Sequence, residues 1–367
     1  MKTRAAVVEK RNGPIAVQEA ELNPPGPGQV LVKIGVSGVC HSDLSAVTGA
    51  IPLPLPAVLG HEGAGVVEQV GEGVRSVQPG DRAMLSYITA CGRCRYCVIG
   101  KPNLCSVHWR AKRGSLCDGT NPFQRGGETM YQMSSLGTMA ERTVVMENAV
   151  IPIPPDVSFE RAALVGCGVM TGVGAVLFTA KAEPGSRIAV IGAGGVGVNV
   201  IQGAVLAGAE MIAAVDISDE KLKMAEPFGA THLVNARRDD PVEAVRELTG
   251  GEGVDYAFEA IGNPKTIEQA FSMLNFGGAA VVIGIAPQGA KASIPASWLP
   301  YGERRLIGSM YGSARMRVDM PRLLDLCRAG RLKLDELVTK TYPLDEVQTA
   351  FDDLRAGANI RGVLKMY

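Results

Sequence analysis

The segment RIAVIGAGGVGVNVIQGAVLAGAEMIAAVD, residues 187–216, decides the fold of this 367-residue chain. A short apolar run leads into a glycine-rich turn, an apolar helical stretch and a second apolar run. Gly192, Gly194 and Gly197 form the pattern G-x-G-x-x-G between strand and helix. This context predicts a dinucleotide site, because the glycines allow a tight turn and let backbone N–H groups approach a pyrophosphate.

The residues that follow the first glycine indicate which dinucleotide is bound. Gly195 and Val196 complete the turn, and Asp216 ends the second apolar run about twenty residues further on. A carboxylate there would accept hydrogen bonds from the adenosine ribose and repel a 2′-phosphate, which favours NAD over NADP. The alternative is structural: the glycines serve helix–strand packing and Asp216 caps a loop.

From about residue 185 the chain alternates apolar strands with helical stretches, which predicts a parallel, doubly wound α/β sheet. The first 150 residues are instead β-rich runs interrupted by Gly and Pro. The tail from Met320 contains two amphipathic helical segments and a final strand, IRGVLKM. The six predicted strands of the sheet are RIAVIG, MIAAVD, HLV, VDYAFEAIG, AAVVIGIA and LIGSM.

Composition argues for a small-molecule ligand. Lys and Arg number 37, as do Asp and Glu, so no strong field attracts nucleic acid or an anionic membrane. The N-terminus MKTRAAVVEKRNG lacks the apolar run of a signal peptide, and no run of roughly eighteen apolar residues predicts a membrane span. We therefore expect a soluble cytoplasmic protein, in which disulfides are rare.

Four of the eight cysteines lie in CGRCRYCVIGKPNLC, residues 91–105. Repeated Cys-x-x-Cys spacing holds thiolates within reach of one Zn²⁺, and four thiolates fill its tetrahedral shell. The alternatives are a redox dithiol and an iron–sulfur cluster. We interpret the cluster as a structural zinc site, with Cys91, Cys94, Cys97 and Cys105 as ligands.

A second set of metal-ligand residue types is dispersed. Cys40 lies in GVCHSD, His61 and Glu62 lie in LGHEGAG, and Cys167 lies in LVGCGVMTG. Spacing alone cannot join them, and each could be an ordinary buried thiol or a satisfied histidine. Together they would suit a catalytic zinc with three protein ligands and one open position.

The chain resembles the zinc-dependent medium-chain alcohol dehydrogenases over essentially its whole length. The shared motifs are GVCHSDL, GHEGAGVV, VQPGDRA, the four-cysteine lobe, GCGVMTG, IGAGGVG and NIRGV, in the family's order. The long segment 106–137 after the lobe is similar to that of class I/III-type forms and of aryl- or nitroso-acceptor-linked bacterial relatives.

The resemblance implies a GroES-like catalytic domain interrupted by a Rossmann domain. Residues 1–168 would form the catalytic domain with its zinc lobe, 169–310 the NAD-binding domain, and 311–367 the return to the catalytic domain. It also implies a homodimer or homotetramer built through the Rossmann sheet, two zinc ions per chain and NAD.

The resemblance also implies roles for residues near the dispersed ligands. Asp43 would orient His61, and Glu62 would stand behind the metal as a transient ligand. Ser42 would accept the alcohol proton, although it could simply form a turn. The three ligands of the catalytic zinc would be Cys40, His61 and Cys167.

For the cofactor, the resemblance implies five contacts. Thr171 would touch the nicotinamide, and His41 and Arg361 the pyrophosphate. Asp216 and Lys221 would bind the adenosine ribose. Simpler interpretations exist for Lys221, as a solvated helix residue, and for Arg361, as a surface charge.

Two positions depart from the family pattern. Many members carry a histidine three residues after the Ser/Thr proton acceptor, whereas this chain has Ser45, so the relay must continue through water, the cofactor ribose or another group. Glutathione-dependent formaldehyde dehydrogenases carry an arginine after the lobe, and Arg110 is one position away from it. Tyr87 and Ile51 match pocket positions and suggest a largely apolar slot.

The expected activity is reversible oxidation of a primary aliphatic, allylic or aromatic alcohol to the aldehyde, with hydride transfer to NAD. A thiol-dependent formaldehyde dehydrogenase is the alternative within the family. A non-catalytic zinc- and NAD-binding sensor is the alternative outside catalysis.

Overall fold

A computed structural model describes the whole chain, Met1–Tyr367. Three sheets form, and the chain divides into two compact units. Unit 1 comprises Met1–Cys167, Arg315–Gly330 and Leu334–Tyr367. Unit 2 comprises Gly168–Ala314 and Arg331–Lys333. The expected GroES-like and Rossmann architectures are both confirmed, as mixed sheets and a parallel sheet respectively.

The first part of the chain is rich in short strands, as the Gly- and Pro-interrupted runs predict. Its strands are β1 (Lys2–Val8), β2 (Ile15–Leu22), β3 (Gln29–Val39), β4 (Ala57–Val58), β5 (Gly63–Val70), β6 (Arg82–Leu85), β7 (Phe123–Arg125), β8 (Glu128–Thr129), β9 (Tyr131–Gln132), β10 (Arg142–Met146) and β11 (Val150–Pro152). Its helices are α1 (His41–Thr48), α2 (Arg95–Val98), α3 (Ser106–Arg110) and α4 (Phe159–Leu164).

One long helical stretch follows α4. It continues through a π-helical segment (Val165–Val169), α5 (Met170–Gly174) and a second π-helical segment (Ala175–Ala180). Short 3₁₀ turns lie elsewhere, at Pro102–Leu104, Met133–Ser135, Glu147–Ala149, Glu226–Phe228, Tyr311–Ser313 and Leu344–Glu346.

The helical stretch Phe159–Ala180 is long and apolar enough to cross a membrane by length and composition alone, although Glu160, Arg161 and Thr171 interrupt its run of apolar residues. Its most apolar window is 78% buried inside the protein. That burial is typical of the core helix of a soluble protein.

Unit 2 alternates strands with helices. Asp240 and Asn263 accept hydrogen bonds from the first turns of two of these helices, and a proline follows each cap, so the sequence itself starts both helices there. The elements are β12 (Arg187–Ile191), α6 (Gly195–Ala207), β13 (Met211–Asp216), α7 (Asp219–Ala225), β14 (His232–Asn235), α8 (Pro241–Leu248), β15 (Val254–Glu259), α9 (Pro264–Ser272), β16 (Leu274–Val282), α10 (Trp298–Tyr301) and β17 (Arg305–Gly308).

The six strands of unit 2 form one sheet in the order β14-β13-β12-β15-β16-β17, and every pair is parallel. All six predicted strands are therefore confirmed. The order reverses between β12 and β15, and ligands of such sheets bind outside the carboxyl ends of the strands at that point. The glycine turn after β12 lies there.

The tail of the chain returns to unit 1 through α11 (Met316–Arg328), β18 (Val338–Pro343), α12 (Val347–Ala356) and β19 (Arg361–Lys365). The two predicted helices and the final strand are present. Strand β18 was not predicted, because its VTKTYP sequence is short and mostly exposed and therefore has no clear alternation of buried and exposed residues.

Unit 1 contains one six-stranded sheet and one seven-stranded sheet. The first has the order β8-β7-β2-β1-β4-β9. The second has the order β11-β6-β5-β3-β19-β18, with β10 also paired to β3. The last strand, β19, lies antiparallel to β3, with Gly362 opposite Val39. Because β3 ends at Val39, this pairing places Arg361 beside the end of β3, where Cys40 follows.

Candidate metal centre and nucleotide site

The dispersed ligand candidates come together in unit 1. Cys40 follows the buried strand β3 and precedes α1, while His61 and Glu62 lie between β4 and β5. Cys167 lies in the π-helical segment after α4, a distortion that is common at functional sites. One ligand atom from each of the four residues lies within 4.8 Å of the others.

The cluster is buried, so an unpaired charge in it would be costly. His61 and Glu62 have no exposed surface, and Cys40 is 5% exposed. His61 Nδ1 lies 3.0 Å from Asp43 Oδ2, in the geometry of an ion pair rather than an aligned hydrogen bond. The other Asp43 oxygen accepts a hydrogen bond of 2.9 Å from the Gly60 N–H. His61 Nε2 is buried without a hydrogen-bond partner, which is expected for an atom that ligates a metal.

The charges of the cluster favour a cation in its middle. The contact with the Cys167 thiol lowers the pKa of Cys40 well below its ordinary value, while the same contact raises the pKa of Cys167. Burial alone would lower the pKa of His61, but Asp43 and the two cysteines outweigh it and raise that pKa well above its ordinary value. The anionic surroundings therefore favour positive charge at the position of the imidazole.

Glu62 has a buried partner of opposite charge. Its carboxylate accepts a short hydrogen bond from the Arg361 guanidinium, and Arg361 is only 4% exposed. Burial raises the pKa of Glu62 to about 7, although the Arg361 charge opposes that rise. Gly38 allows this close approach, because a Cβ atom there would lie 2.1 Å from Glu62 Oε2.

The donor set fits zinc. Two thiols and one imidazole are ligands that Zn²⁺ prefers, and three protein ligands leave a position for substrate. Asp43 supplies the outer contact that fixes the ring orientation of a ligating histidine. Ser42 lies beside the cluster, with its Oγ 3.9 Å from Cys40 Sγ.

Aromatic and imidazole rings extend from this cluster towards the surface of unit 1. The Tyr87 ring lies edge-on to the His61 ring at 5.4 Å, and it also lies edge-on to the His108 ring at 6.3 Å. Tyr87 and Ile51 line one cavity, as expected from their pocket positions. Most of its other lining side chains are apolar or aromatic, among them Leu53, Trp109 and Met133, and Lys112 and Arg113 also line it.

The four cysteines of the lobe also converge. Cys94 Sγ lies 3.5 Å from Cys97 Sγ and 3.9 Å from Cys105 Sγ. Backbone N–H groups donate to two of the sulfurs, at 3.2 Å to Cys105 and 3.3 Å to Cys91. A hydrogen bond from the Cys97 backbone is the main cause that lowers the pKa of Cys94 to about 5. All eight cysteines of the chain are free, so the lobe contains no disulfide.

The nucleotide candidates lie at the carboxyl end of β12 in unit 2. Gly192 has φ +96°, and a Cβ atom on Gly197 would lie 1.7 Å from the Gly192 carbonyl oxygen, so both glycines are required for packing. Gly194 caps α6 and has no atom within 4 Å of its Cβ position. That open space at a helix N-terminus fits a phosphate.

Asp216 connects the turn to the next strand. One carboxylate oxygen accepts from the Ala193 N–H at 2.8 Å, and the other accepts from the Ser218 N–H at 3.0 Å. The Ser218 side chain caps α7 by accepting from the Lys221 N–H. Asp216 therefore stabilises the loops that surround the expected ribose position.

The remaining predicted cofactor residues lie on separate elements. His41 is the first residue of α1 and is exposed, whereas Thr171 lies in α5 and is half-buried. Gly195 and Val196 open α6. His108 was not predicted from the sequence as a site residue, although it is one of only four histidines and lies three residues after the last lobe cysteine.

Two family models match the chain. The model described as alcohol dehydrogenase GroES-like domain matches residues 26–155, and the model described as zinc-binding dehydrogenase matches residues 195–329. Relatives are 40% identical over 99% of the chain. The chain belongs to the zinc-dependent medium-chain alcohol dehydrogenase family, and it is an enzyme of that family rather than a non-catalytic sensor. Its two ligand clusters match the structural and catalytic zinc sites.

Particular relatives carry different names. The chain is 40% identical to the NDMA-dependent alcohol dehydrogenase of Amycolatopsis methanolica, with 99% of each chain covered. It is 40% identical to the S-(hydroxymethyl)glutathione dehydrogenase of Paracoccus denitrificans, with 99% of this chain and 100% of the relative covered. The crystal structure of benzyl alcohol dehydrogenase from Acinetobacter calcoaceticus is 33% identical, with a TM-score of 0.95 and all of both chains covered.

The two metal clusters should respond differently to loss of one thiol. We expect Cys40→Ser to lose about one zinc per chain and its NAD reduction while it keeps its melting temperature, because the sheet around Cys40 does not need the metal to fold. Cys94→Ser should lose the lobe zinc and melt at lower temperature, since structural zinc contributes folding free energy. Metal analysis, thermal melts and turnover of both variants check this. A Cys94 variant as stable as wild type with only its turnover reduced would contradict the assignment.

Removal of Arg361 should destabilise the protein strongly. Arg361→Ala leaves the Glu62 carboxylate buried and unpaired, and breaking such a pair costs about 3–5 kcal/mol of unfolding free energy. The loss should be smaller at pH 5 than at pH 8, because the protonated Glu62 carries no charge below its raised pKa. Urea denaturation of the wild-type protein and the variant at both pH values measures this loss of unfolding free energy.

The matched control for this prediction is an exposed pair. Arg161→Ala removes the ion pair with Asp335, whose side chain is 61% exposed, and should cost no more than about 1 kcal/mol. The double variant Glu62→Gln/Arg361→Met should recover much of the lost stability. Equal losses for Arg361→Ala and Arg161→Ala would show that the buried pair is not a structural requirement.

Proposed function

We propose that this protein catalyses the reversible oxidation of a primary alcohol to its aldehyde with NAD as hydride acceptor. The observation that carries the proposal is the buried set of Cys40, His61 and Cys167, with His61 Nε2 left without a protein partner. A zinc ion bound there supplies Lewis-acid chemistry that favours loss of the alcohol proton.

The residues of the chain contribute positioning and proton transfer. Asp43 holds the His61 ring by its contact with Nδ1, and Nε2 has no hydrogen-bond partner in the protein. Ser42, beside Cys40, accepts the alcohol proton. Ser45 stands where many relatives have a histidine, so Ser42 would need water, the ribose of a bound cofactor or another group to pass the proton on. Glu62, paired with Arg361, would be a transient ligand of a bound zinc ion.

The cofactor assignment rests on unit 2 and on the family. The open space at Gly194 supports pyrophosphate binding at the start of α6, with Gly192, Gly195, Val196 and Gly197 in the turn. The carboxylate of Asp216 supports NAD over NADP, because a 2′-phosphate there would meet a negative charge. The resemblance to the family supports further contacts: Lys221 at the ribose, Thr171 at the nicotinamide and His41 at the pyrophosphate. Arg361 is also expected at the pyrophosphate, and in the structure its guanidinium is 4% exposed and paired with Glu62.

A thiol-dependent formaldehyde dehydrogenase is the second candidate. It is favoured by relatives named S-(hydroxymethyl)glutathione dehydrogenase that match the chain over its whole length. Arg110 does not occupy the position at which those enzymes carry their arginine, so we rank this activity below alcohol oxidation.

The proposed domains are 1–168, 169–310 and 311–367, and the two compact units support similar boundaries. We infer that the protein acts in the cytoplasm on small molecules, because free cysteines and a neutral net charge suit that setting.

A panel of alcohols tests the proposed activity. We expect NADH to form from primary aliphatic, allylic or aromatic alcohols and little product to form with NADP. Formaldehyde is tested with and without low-molecular-weight thiols, and strict thiol dependence without alcohol turnover would favour the second candidate. If neither alcohols nor formaldehyde are oxidised by zinc-loaded enzyme, the proposed function is wrong.

We infer that the protein forms a homodimer or homotetramer through unit 2. Strand β17 is an edge of the parallel sheet, and unit 2 exposes Leu306 (39%), Phe276 (73%) and Tyr301 (88%). Unpaired strand edges with apolar neighbours favour association with a second copy. Sedimentation should give at least two chains per particle, and Leu306→Glu should lower that number. A monomeric wild-type protein would contradict this inference.

A further inference from the structure

The four-cysteine lobe carries positive charge that no carboxylate of the protein neutralises. Residues 91–105 contain three cations, Arg93, Arg95 and Lys101, and the next acidic residue along the chain is Asp118. All three cations are exposed, and none of them forms an ion pair. The zero net charge of the whole chain therefore does not exclude a local positive surface on the lobe.

Exposed apolar side chains lie in the same turn of the lobe. Val98 is 72% exposed, Ile99 is 57% exposed and Tyr96 is 40% exposed. Scattered apolar residues are common on protein surfaces, but here three of the four residues 96–99 are apolar or aromatic and open to solvent. Side chains so exposed contribute little to packing in the free protein. Their apolar surface would be removed from water only by a partner.

The geometry of α2 places charge and apolar surface together on the outside of the lobe. The Ile99 N–H donates to the Arg95 carbonyl at 3.1 Å, so these two residues lie one helical turn apart and on the same side. The sulfurs of Cys94 and Cys97 lie 3.5 Å apart on the inner side, where the lobe thiols converge. The guanidinium of Arg95 and the aliphatic chain of Ile99 therefore face the same surroundings.

Backbone hydrogen bonds hold this turn in one conformation. The Gly100 N–H donates to the Cys97 carbonyl at 3.1 Å, and the Lys101 N–H donates to the Tyr96 carbonyl at 2.8 Å. The Leu104 N–H in turn donates to the Lys101 carbonyl at 3.0 Å. A surface that is already ordered loses little conformational entropy when it binds a partner.

We propose that the outer face of the lobe docks reversibly on an anionic phospholipid bilayer. The cations attract the lipid phosphates, and the apolar side chains enter the boundary between headgroups and acyl chains. A tyrosine is typical of that depth, because its ring is apolar and its hydroxyl is polar. The proposal goes beyond the proposed function and does not depend on it. The outer face consists of Arg93, Arg95, Tyr96, Val98, Ile99 and Lys101.

The combination of charge and apolar surface favours a bilayer over other partners. A second copy of the chain, joined symmetrically through this face, would bring two identical positive surfaces together. Nucleic acid would neutralise the cations, but its phosphates and sugars would leave Val98 and Ile99 without an apolar contact. An anionic bilayer supplies negative charge at its surface and apolar chains beneath it, so it satisfies both halves of the outer face.

Vesicle co-sedimentation of the zinc-loaded full chain tests the proposal. The mixed vesicles consist of phosphatidylcholine with about 30% phosphatidylglycerol, and the comparison vesicles are pure phosphatidylcholine. We expect binding to the mixed vesicles, binding at least about tenfold weaker to the pure ones, and release at about 0.5 M NaCl, because salt screens exposed charges. No binding to the mixed vesicles at low salt, or equal binding to both compositions, would overturn the proposal.

Three variants assign the binding to residues. Arg93→Gln/Arg95→Gln/Lys101→Gln should weaken binding to the mixed vesicles about a hundredfold, which is roughly fivefold per cation. Val98→Ser/Ile99→Ser should weaken it at least about tenfold, because less apolar surface leaves water. Lys10→Gln/Arg11→Gln is the matched control: both cations are exposed in unit 1, form no ion pair and lie outside the lobe. An equal loss in this control would show general attraction and overturn the proposal.

A measurement on the wild-type protein covers the case in which a variant loses its lobe zinc. Lysine side chains are acetylated with and without the mixed vesicles, and mass spectrometry follows each site. We expect the vesicles to slow acetylation of Lys101 several-fold and to leave Lys10 unchanged. If Lys101 reacts at the same rate under both conditions, the outer face does not meet the bilayer and the proposal is wrong.

Two further outcomes would assign the outer face to another partner. If Val98→Ser/Ile99→Ser reduces the number of chains per particle in sedimentation and leaves vesicle binding unchanged, the face is an interface between copies of the chain. If duplex DNA binds the wild-type protein as tightly as the mixed vesicles do, the face is a nucleic-acid surface. Either result would overturn the proposal, and neither would change the proposed alcohol dehydrogenase activity.

Discussion

The structure of unit 1 depends on a constraint set by burial: two thiols, an imidazole and two carboxylates lie together in a region with almost no solvent exposure. Unpaired negative charge in such a place costs several kcal/mol, so positive charge must be present. Arg361 supplies part of it to Glu62, and the pKa of His61 rises until the imidazole holds a proton. A zinc ion bound at the thiols would supply positive charge in the same place.

The two cysteine-containing clusters divide structure from chemistry. In the lobe, four thiols from one short segment fill the shell of a metal and leave no room for substrate. In the second cluster, the ligands come from β3, the β4–β5 connection and the π-helical segment, and they leave one position open. A site assembled from separate elements holds its ligands by the packing of the sheet, so the metal there need not stabilise the fold.

The lobe also leads into the segment that lines the cavity beside Tyr87. Its last cysteine precedes α3, and α3 presents His108 to Tyr87. The following loop adds Lys112 and Arg113 to the same cavity. A zinc ion in the lobe that keeps this segment rigid would therefore also hold Lys112 and Arg113 in position at the cavity, although the lobe itself does not contact the reacting atoms.

Local patterns in the sequence determined the elements that are formed by neighbouring residues: the six parallel strands, the glycine turn before α6 and the four-cysteine lobe. The resemblance to a family was needed to join Cys40, His61 and Cys167, since no spacing connects them. Only the tertiary structure decided that Arg361 is a buried partner of Glu62 rather than a surface charge, because those residues are 299 positions apart and meet through the pairing of β19 with β3. It also decided that cations and His108 share the cavity of Tyr87 and Ile51, since such contacts follow from packing and leave no periodic trace in the chain.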